Sequence, residues 1–328
     1  MYKRILNYVS VLLLFSPILP VLMTACKKTV TGSSKSLIPL SGVRYKDEVF
    51  ANAETPFLNY AYRVARTFGG ADTTLKLDVY QPAGDTVSLR PAVVFIHGGA
   101  FTGGSEKDAY AVSICTSLAK RGYVAISIGY RLGSDYTPPL TTTDSITRFY
   151  DNVYRANQDC RAAVRFVRKN SSAGRIDTNR IFIAGVSAGA GNAIDVAYVD
   201  QGEIPLEYSN RLGLLDGQGL YDFPGYSTLV RGVVNMEGAI LDTSYIDPGD
   251  APLISFYGDQ DQYYKDSING GSPPYHFFNG QAINARTTHL GILTTPIITY
   301  PGVHGATTTP TNLPLAMDSM SAWLYSRL

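Results

Sequence analysis

Beyond about residue 57, apolar and polar positions alternate in two rhythms. Leu75, Leu77 and Val79 alternate with polar neighbours over 75–80, and 60–66 has the same half-buried pattern, so both predict early strands. Residues 92–96 and 181–186 are continuous apolar runs, the mark of strands covered on both faces. Further strands are predicted at 123–128, 232–236, 253–257 and 297–300. Between them the spacing becomes helical. One helix is expected near 107–120, closed by Arg121-Gly122, and another around 151–169, where Val153, Ala156, Cys160, Ala163 and Val167 share a face. A last helix is expected to present Met317, Met320, Leu324 and Leu328 on one side. Strands separated by helices predict an α/β protein whose mostly parallel central sheet carries helices on both faces.

Two stretches break this rhythm, 132–150 and 202–228. Long segments over the strand ends of such a sheet build the binding cleft, so both are expected at its mouth. The chain has 23 tyrosines, several of them in these stretches and near 263–275, for example Tyr136, Tyr150, Tyr208, Tyr226, Tyr263 and Tyr275. A tyrosine rim suits sugars and phenolic acids, because the ring face stacks while the hydroxyl hydrogen-bonds.

The first 25 residues have a different character. Lys3 and Arg4 precede an apolar stretch broken by Ser16, Pro17 and Pro20, which makes a poor spanning helix and a good secretory signal. It ends Leu22-Met23-Thr24-Ala25-Cys26, which resembles the lipobox of bacterial lipoprotein signal peptides. The resemblance implies cleavage before Cys26, lipidation of that residue, and a lipid-anchored protein of the bacterial cell envelope. Residues 26–45 then read as a polar, Pro/Gly-punctuated tether and 46–328 as one α/β domain.

Charge excludes more than it suggests. There are 28 basic and 27 acidic side chains, and removing residues 1–25 takes away Lys3 and Arg4, leaving a net charge of −1. Basic residues form no tract, so a nucleic-acid surface is not expected. The three cysteines include no CxxC pair, which argues against a disulfide scaffold or a zinc site.

Two motifs carry chemistry. Gly185-Val186-Ser187-Ala188-Gly189 falls where a buried strand gives way to an Ala-rich helix, and a serine on so sharp a turn needs small neighbours and stands exposed above the sheet. His97-Gly98-Gly99-Ala100-Phe101 ends an earlier buried strand. Its glycines let backbone N–H groups approach a substrate, where they can hold the negative oxygen of a tetrahedral acyl intermediate.

With these motifs, and with GYRLG at 129–133, QDCRAAVRFVRKN at 158–170 and IDTNRIFIAG at 176–185, the chain from about residue 75 onward resembles the α/β-hydrolase fold. The branch it resembles is that of the HGG-containing, hormone-sensitive-lipase-like carboxylesterases and acetyl esterases. The resemblance implies a Ser-Asp-His order along the chain. Ser187 would be the nucleophile, and His304, in PGVHGA after a predicted strand, the general base; His276 in SPPYHFF is the alternative. His97 opens the glycine loop and His289 lies in a predicted helix. Gly258-Asp259-Gln260-Asp261 matches the family's Gly-x-x-Asp and points to Asp261, with Asp259 and Glu237 as alternatives. The N–H groups of Gly98, Gly99 and Ala188 would form the oxyanion hole, with no metal or organic cofactor. The resemblance also places the helices bearing Cys115 and Cys160 on opposite faces of the sheet, too far apart for a disulfide.

The expected activity is hydrolysis of carboxylic esters with short acyl groups, including acetyl or feruloyl groups on glycans. The segment 265–280 is a candidate cap over the acyl pocket. A serine peptidase, an acyltransferase, and a binding module without catalysis are the other functions that fit the fold.

Overall fold

The computed structural model describes residues 42–67, 70–133, 143–204, 222–261, 277–299 and 302–328. The signal sequence, Cys26 and the tether up to Ser41 lie outside these residues, as do His276, Tyr136, Tyr208, Tyr263 and Tyr275.

Eight strands form one sheet in the order β1-β2-β4-β3-β5-β6-β7-β8. They are β1 (Ala53–Arg66), β2 (Asp72–Pro82), β3 (Arg90–Ile96), β4 (Val124–Ile128), β5 (Ile176–Val186), β6 (Val233–Met236), β7 (Leu253–Gly258) and β8 (Thr294–Thr299). From β4 to β8 every neighbouring pair is parallel, while β1 and β2 join antiparallel at one edge. The helices are α1 (Ala109–Arg121), α2 (Thr143–Lys169), the single turn α3 (Ser171–Gly174), α4 (Ala188–Tyr198), α5 (Gly280–His289) and α6 (Leu313–Tyr325).

Alternate residues of the central strands feed two separate cores, as the pleat requires. Ala92, Val94 and Ile96 pack with α2, α4 and α5, whereas Val93 and Phe95 pack with α1 and α6. Cys160 belongs to the first core and Cys115 to the second, and both are buried free thiols. Burying each large aliphatic or aromatic side chain contributes about 1.5–3 kcal/mol, so these two layers supply most of the stability.

Three expectations need correction. Strand β1 begins at Ala53, earlier than the alternation shows, because edge pairing tolerates Pro56 and register shifts that blur the period. The irregular stretch at 132–150 is helical from Thr143, and Phe149, packed with Val153 and Tyr154, extends the apolar stripe of α2 backward. Leu328 lies beyond the end of α6 and packs against the second core from the chain terminus; Trp323 joins Met317, Met320 and Leu324 on the helix. Helix α1 ends as its sequence predicts: Gly122 adopts φ 112, and its N–H reaches the Ala119 and Leu118 carbonyls.

A buried ionic network ties motifs from distant parts of the chain. Asp159 of α2 accepts the Arg131 backbone N–H at 2.8 Å and its Nε at 2.9 Å, and also pairs with Arg63 of β1. Against desolvation such a network adds little net stability, yet losing one partner leaves buried charge, at about 3–5 kcal/mol. Its effect is to fix where β4 ends, and therefore where Tyr130 sits.

Candidate active site

Three strand ends and one loop converge on Ser187. The chain leaves β5 at Val186, turns at Ser187 with φ 53 and ψ −120, and enters α4 at Ala188. A non-glycine residue held there carries strain of about 1–3 kcal/mol, so its surroundings must impose it. The Ser187 N–H donates to the Met236 carbonyl at 2.8 Å, and the Ser187 carbonyl accepts from Gly191 at 3.0 Å. A Cβ on Gly185 would stand 2.3 Å from the backbone of Gly189, and one on Gly189 would stand 2.3 Å from the carbonyl oxygens of Ile96 and His97. Only glycine lets the elbow seat against the end of β3.

Ser187 Oγ lies 2.7 Å from His304 Nε2, and His304 Nδ1 lies 2.8 Å from Asp261 Oδ2. An ionised carboxylate only accepts, so Nδ1 carries the ring proton and Nε2 accepts from the serine hydroxyl. Asp261 is buried and the imidazole largely so. The other two acid candidates do not reach the ring. Asp259 turns outward and accepts the Gly302 N–H at 2.8 Å; hydrogen bonds from Gln260 and Gly302 hold its carboxyl below the usual aspartate value. Glu237, buried just after β6, accepts from Gly305 and Thr307. His97 lies beneath the glycine loop and His289 is exposed at the end of α5.

The glycine loop differs from expectation at one donor. Gly98 N–H donates to the Tyr110 hydroxyl at 2.7 Å, so it is not available to a substrate oxygen. What glycine at 98 supplies is room, since a Cβ there would stand 3.3 Å from Ser187 Cβ. The Gly98 carbonyl accepts from His97 Nδ1 at 2.7 Å. In a trans peptide the N–H points opposite to the carbonyl, so Gly99 N–H faces away from that ring. Gly99 adopts φ 119, and a Cβ on it would meet the Gly103 carbonyl oxygen at 2.1 Å. Ala188, first residue of α4, has an N–H that the helix geometry leaves without an acceptor. Gly99 and Ala188 are the two expected donors that keep this character.

Two tyrosines hold the loop: Tyr110, which no motif announced, and Tyr130, from the GYRLG segment. Tyr110, at the start of α1, has its phenol pushed up to about 12 by burial, so it stays neutral and accepts the Gly98 N–H. Tyr130 stacks on the His97 ring at 4.4 Å, and its hydroxyl donates to the His97 carbonyl at 3.1 Å. Burial holds His97 below the usual histidine value, so the ring remains the neutral donor the Gly98 carbonyl needs. Of the expected tyrosine rim, Tyr150 is half-buried and Tyr226 exposed, and 134–142, 205–221 and 262–276 lie outside the described residues.

Comparison with known proteins agrees with this architecture. The BD-FAE family model matches residues 77–207. Isoprenylcysteine alpha-carbonyl methylesterase ICME of Arabidopsis thaliana is 33% identical over 176 residues, 49% of this chain and 37% of that protein. Esterase LipC of Mycobacterium tuberculosis is 30% identical over 181 residues, 52% of this chain and 40% of that protein. The matches thus span less than half the length of these relatives. The butyrate-bound structure of Thermogutta terrifontis Est2 superposes with a TM-score of 0.60 at 19% identity, covering 84% of this chain and 94% of that one. The chain has the α/β-hydrolase fold.

Proposed function

We propose that the protein is an exported serine esterase that hydrolyses carboxylic esters through an acyl-enzyme. The observation that carries this reading is the hydrogen-bonded line from Ser187 Oγ through the His304 ring to Asp261, placed at the head of α4. Ser187 attacks the acyl carbon while His304 Nε2 takes the hydroxyl proton, and Asp261 stabilises the resulting imidazolium. The carbonyl oxygen becomes an oxyanion held by the N–H groups of Ala188 and Gly99. Each such donor contributes about 3–4 kcal/mol to lowering the barrier. Collapse expels the alcohol, which receives the proton from His304. Water then attacks the acyl carbon with His304 again as base, releasing the acid and restoring Ser187.

Relatives named as a methylesterase and an esterase support ester hydrolysis, and a neighbour solved with butyrate supports a short acyl group. Acetyl or feruloyl groups on glycans are the proposed substrates, on the strength of the esterase resemblance, the signal-like sequence of residues 1–25 and the tyrosines of 132–150 and 202–228, stretches expected from the sequence at the cleft. Attachment to a membrane of the bacterial envelope through lipidated Cys26 completes the reading. Extraction and intact-mass analysis should show loss of residues 1–25 and gain of acyl mass; an unmodified Cys26 would end that part.

The activity is tested with 4-nitrophenyl acetate, butyrate and octanoate, using the protein beside Ser187→Ala and His304→Ala. Acetate and butyrate should be turned over and octanoate poorly, and either substitution should reduce kcat by at least about 10⁴-fold. Equal rates in all three proteins would sink the esterase reading. A peptidase or acyltransferase would show instead as turnover of amides or transfer to added alcohols, and a binding module as no turnover at all.

A further inference from the structure

Beyond the three residues of the proposed reaction, the loop that presents His304 is held by a carboxylate that reaches its backbone and not its ring. Glu237 follows β6 directly and is almost fully buried, and its backbone is in the left-handed region at φ 62. Its own N–H donates to the Phe256 carbonyl of β7 at 2.8 Å. Its carboxylate then crosses to the loop after β8. Oε2 accepts the Gly305 N–H at 2.5 Å, and Oε1 accepts both the N–H and the hydroxyl of Thr307 at 2.7 Å. Three donors on one buried carboxylate are charge-assisted bonds, stronger and more directional than neutral ones. One of them comes from the residue next to His304.

We infer that Glu237 is a positioning residue, which fixes the backbone on the C-terminal side of His304 so that its ring bridges Ser187 and Asp261. The inference deepens the proposed esterase reading and rests on it. Among the described residues, the groups that hold the loop stand on both sides of the ring. Asp259 of the segment after β7 holds Gly302, Asp261 holds the imidazole at Nδ1, Ser187 meets it at Nε2, and Glu237 holds Gly305 and Thr307. The loop is therefore pinned on both sides of the ring by carboxylates. The strained φ at Glu237 fits this function, because a tightly bonded side chain maintains an otherwise unfavourable backbone.

The test compares Glu237→Gln, Glu237→Ala and Thr307→Val with the unaltered protein. Displacing a reacting group by an ångström costs about 100-fold, so Glu237→Ala should lower kcat by about that factor with KM within about twofold. Glu237→Gln keeps one acceptor oxygen but turns an amide toward the loop donors, and should fall about tenfold by the same reasoning. Removing its charge should also lower the His304 pKa, moving the acid limb of the kcat/KM profile to lower pH. Thr307→Val keeps the charge, so its kcat should fall a few-fold while its acid limb stays in place.

A merely structural role makes a different prediction. Melting temperature and the fraction titratable by an organophosphate would fall together, while titrated molecules kept the original kcat and acid limb; that result overturns the inference. Should the unaltered protein neither turn over esters nor take an organophosphate on Ser187, the esterase reading is what fails. The NMR titration of the His304 ring then decides the remainder. A ring pKa lower in Glu237→Gln supports the contact, and an unmoved one overturns it.

Discussion

The two loops that complete the site are built from opposite chemistry. The loop from His97 to Gly104 is gripped at Gly98 by neutral side chains, the His97 imidazole on its carbonyl and the Tyr110 phenol on its N–H, with the Asp108 carboxylate behind the phenol at 3.4 Å. The loop from Gly302 to Thr307 is held by carboxylates: Asp259, Asp261 and Glu237. The difference matches what each loop would do in the proposed reaction. Donors aimed at an oxyanion need fixed dipoles in a setting that does not change charge. A base that becomes an imidazolium during the reaction gains from negative charge close by. The neutral loop is expected to keep its geometry across the pH range of the fold, and the carboxylate loop to depend on ionisation.

That contrast can be broken at Tyr110. Tyr110→Phe removes the acceptor for Gly98 N–H without touching the His304 loop, so kcat should fall about tenfold, the lower end of what loss of preorganised donor geometry costs. The loss should be the same at every pH where the protein is folded. Steady-state kinetics over that range checks it, and a loss confined to one limb of the profile would show that the loop senses charge after all.

A smaller effect sharpens the comparison on the side of stability. Hydrogen bonds hold the Asp259 carboxyl below its usual value, so its support is present above that usual value and is lost as the pH falls through the lowered one. Asp195, on α4 behind the elbow, has the opposite sign. Burial pushes its carboxyl up to about 7, so the fold is favoured at low pH and loses that contribution as the pH rises from about 4 to 7. Asp195→Asn should therefore raise the melting temperature at pH 8 and leave it nearly unchanged at pH 4. The shift should be several degrees, since about 1 kcal/mol moves a domain of 150–250 residues by about 2–4 °C and a larger one by less. Scanning calorimetry at the two pH values measures it directly, and equal shifts at both would show that Asp195 is not neutral in the fold.

Much of this architecture is legible along the chain, for identifiable reasons. The central strands are covered on both faces, so their apolar runs are unbroken, and the elbow at Ser187 advertises itself because crowding admits only small residues. The meeting of Ser187, His304 and Asp261 follows from the resemblance, which orders residues that no local pattern connects. The supports are not legible. Tyr110 reaches Gly98 with a hydroxyl from the next helix, a contact without a period or a motif. Glu237 was visible as a carboxylate after a strand, but nothing in its neighbours tells whether it meets an imidazole or the backbone beside one. Gly98 shows the same limit from the other side: a glycine in a donor loop looks like a donor until its N–H is found facing a phenol. The early part of β1 escaped because edge strands need not alternate.

The central claim is that Ser187 is a nucleophile activated by His304. The direct measurement is the mass of the Ser187 peptide after incubation with a dialkyl phosphoryl ester, in the unaltered protein and in His304→Ala. The account predicts one dialkylphosphoryl group on Ser187 in the first and none in the second over the same time. Ester turnover without an adduct on Ser187, or an adduct forming equally fast in His304→Ala, would contradict it.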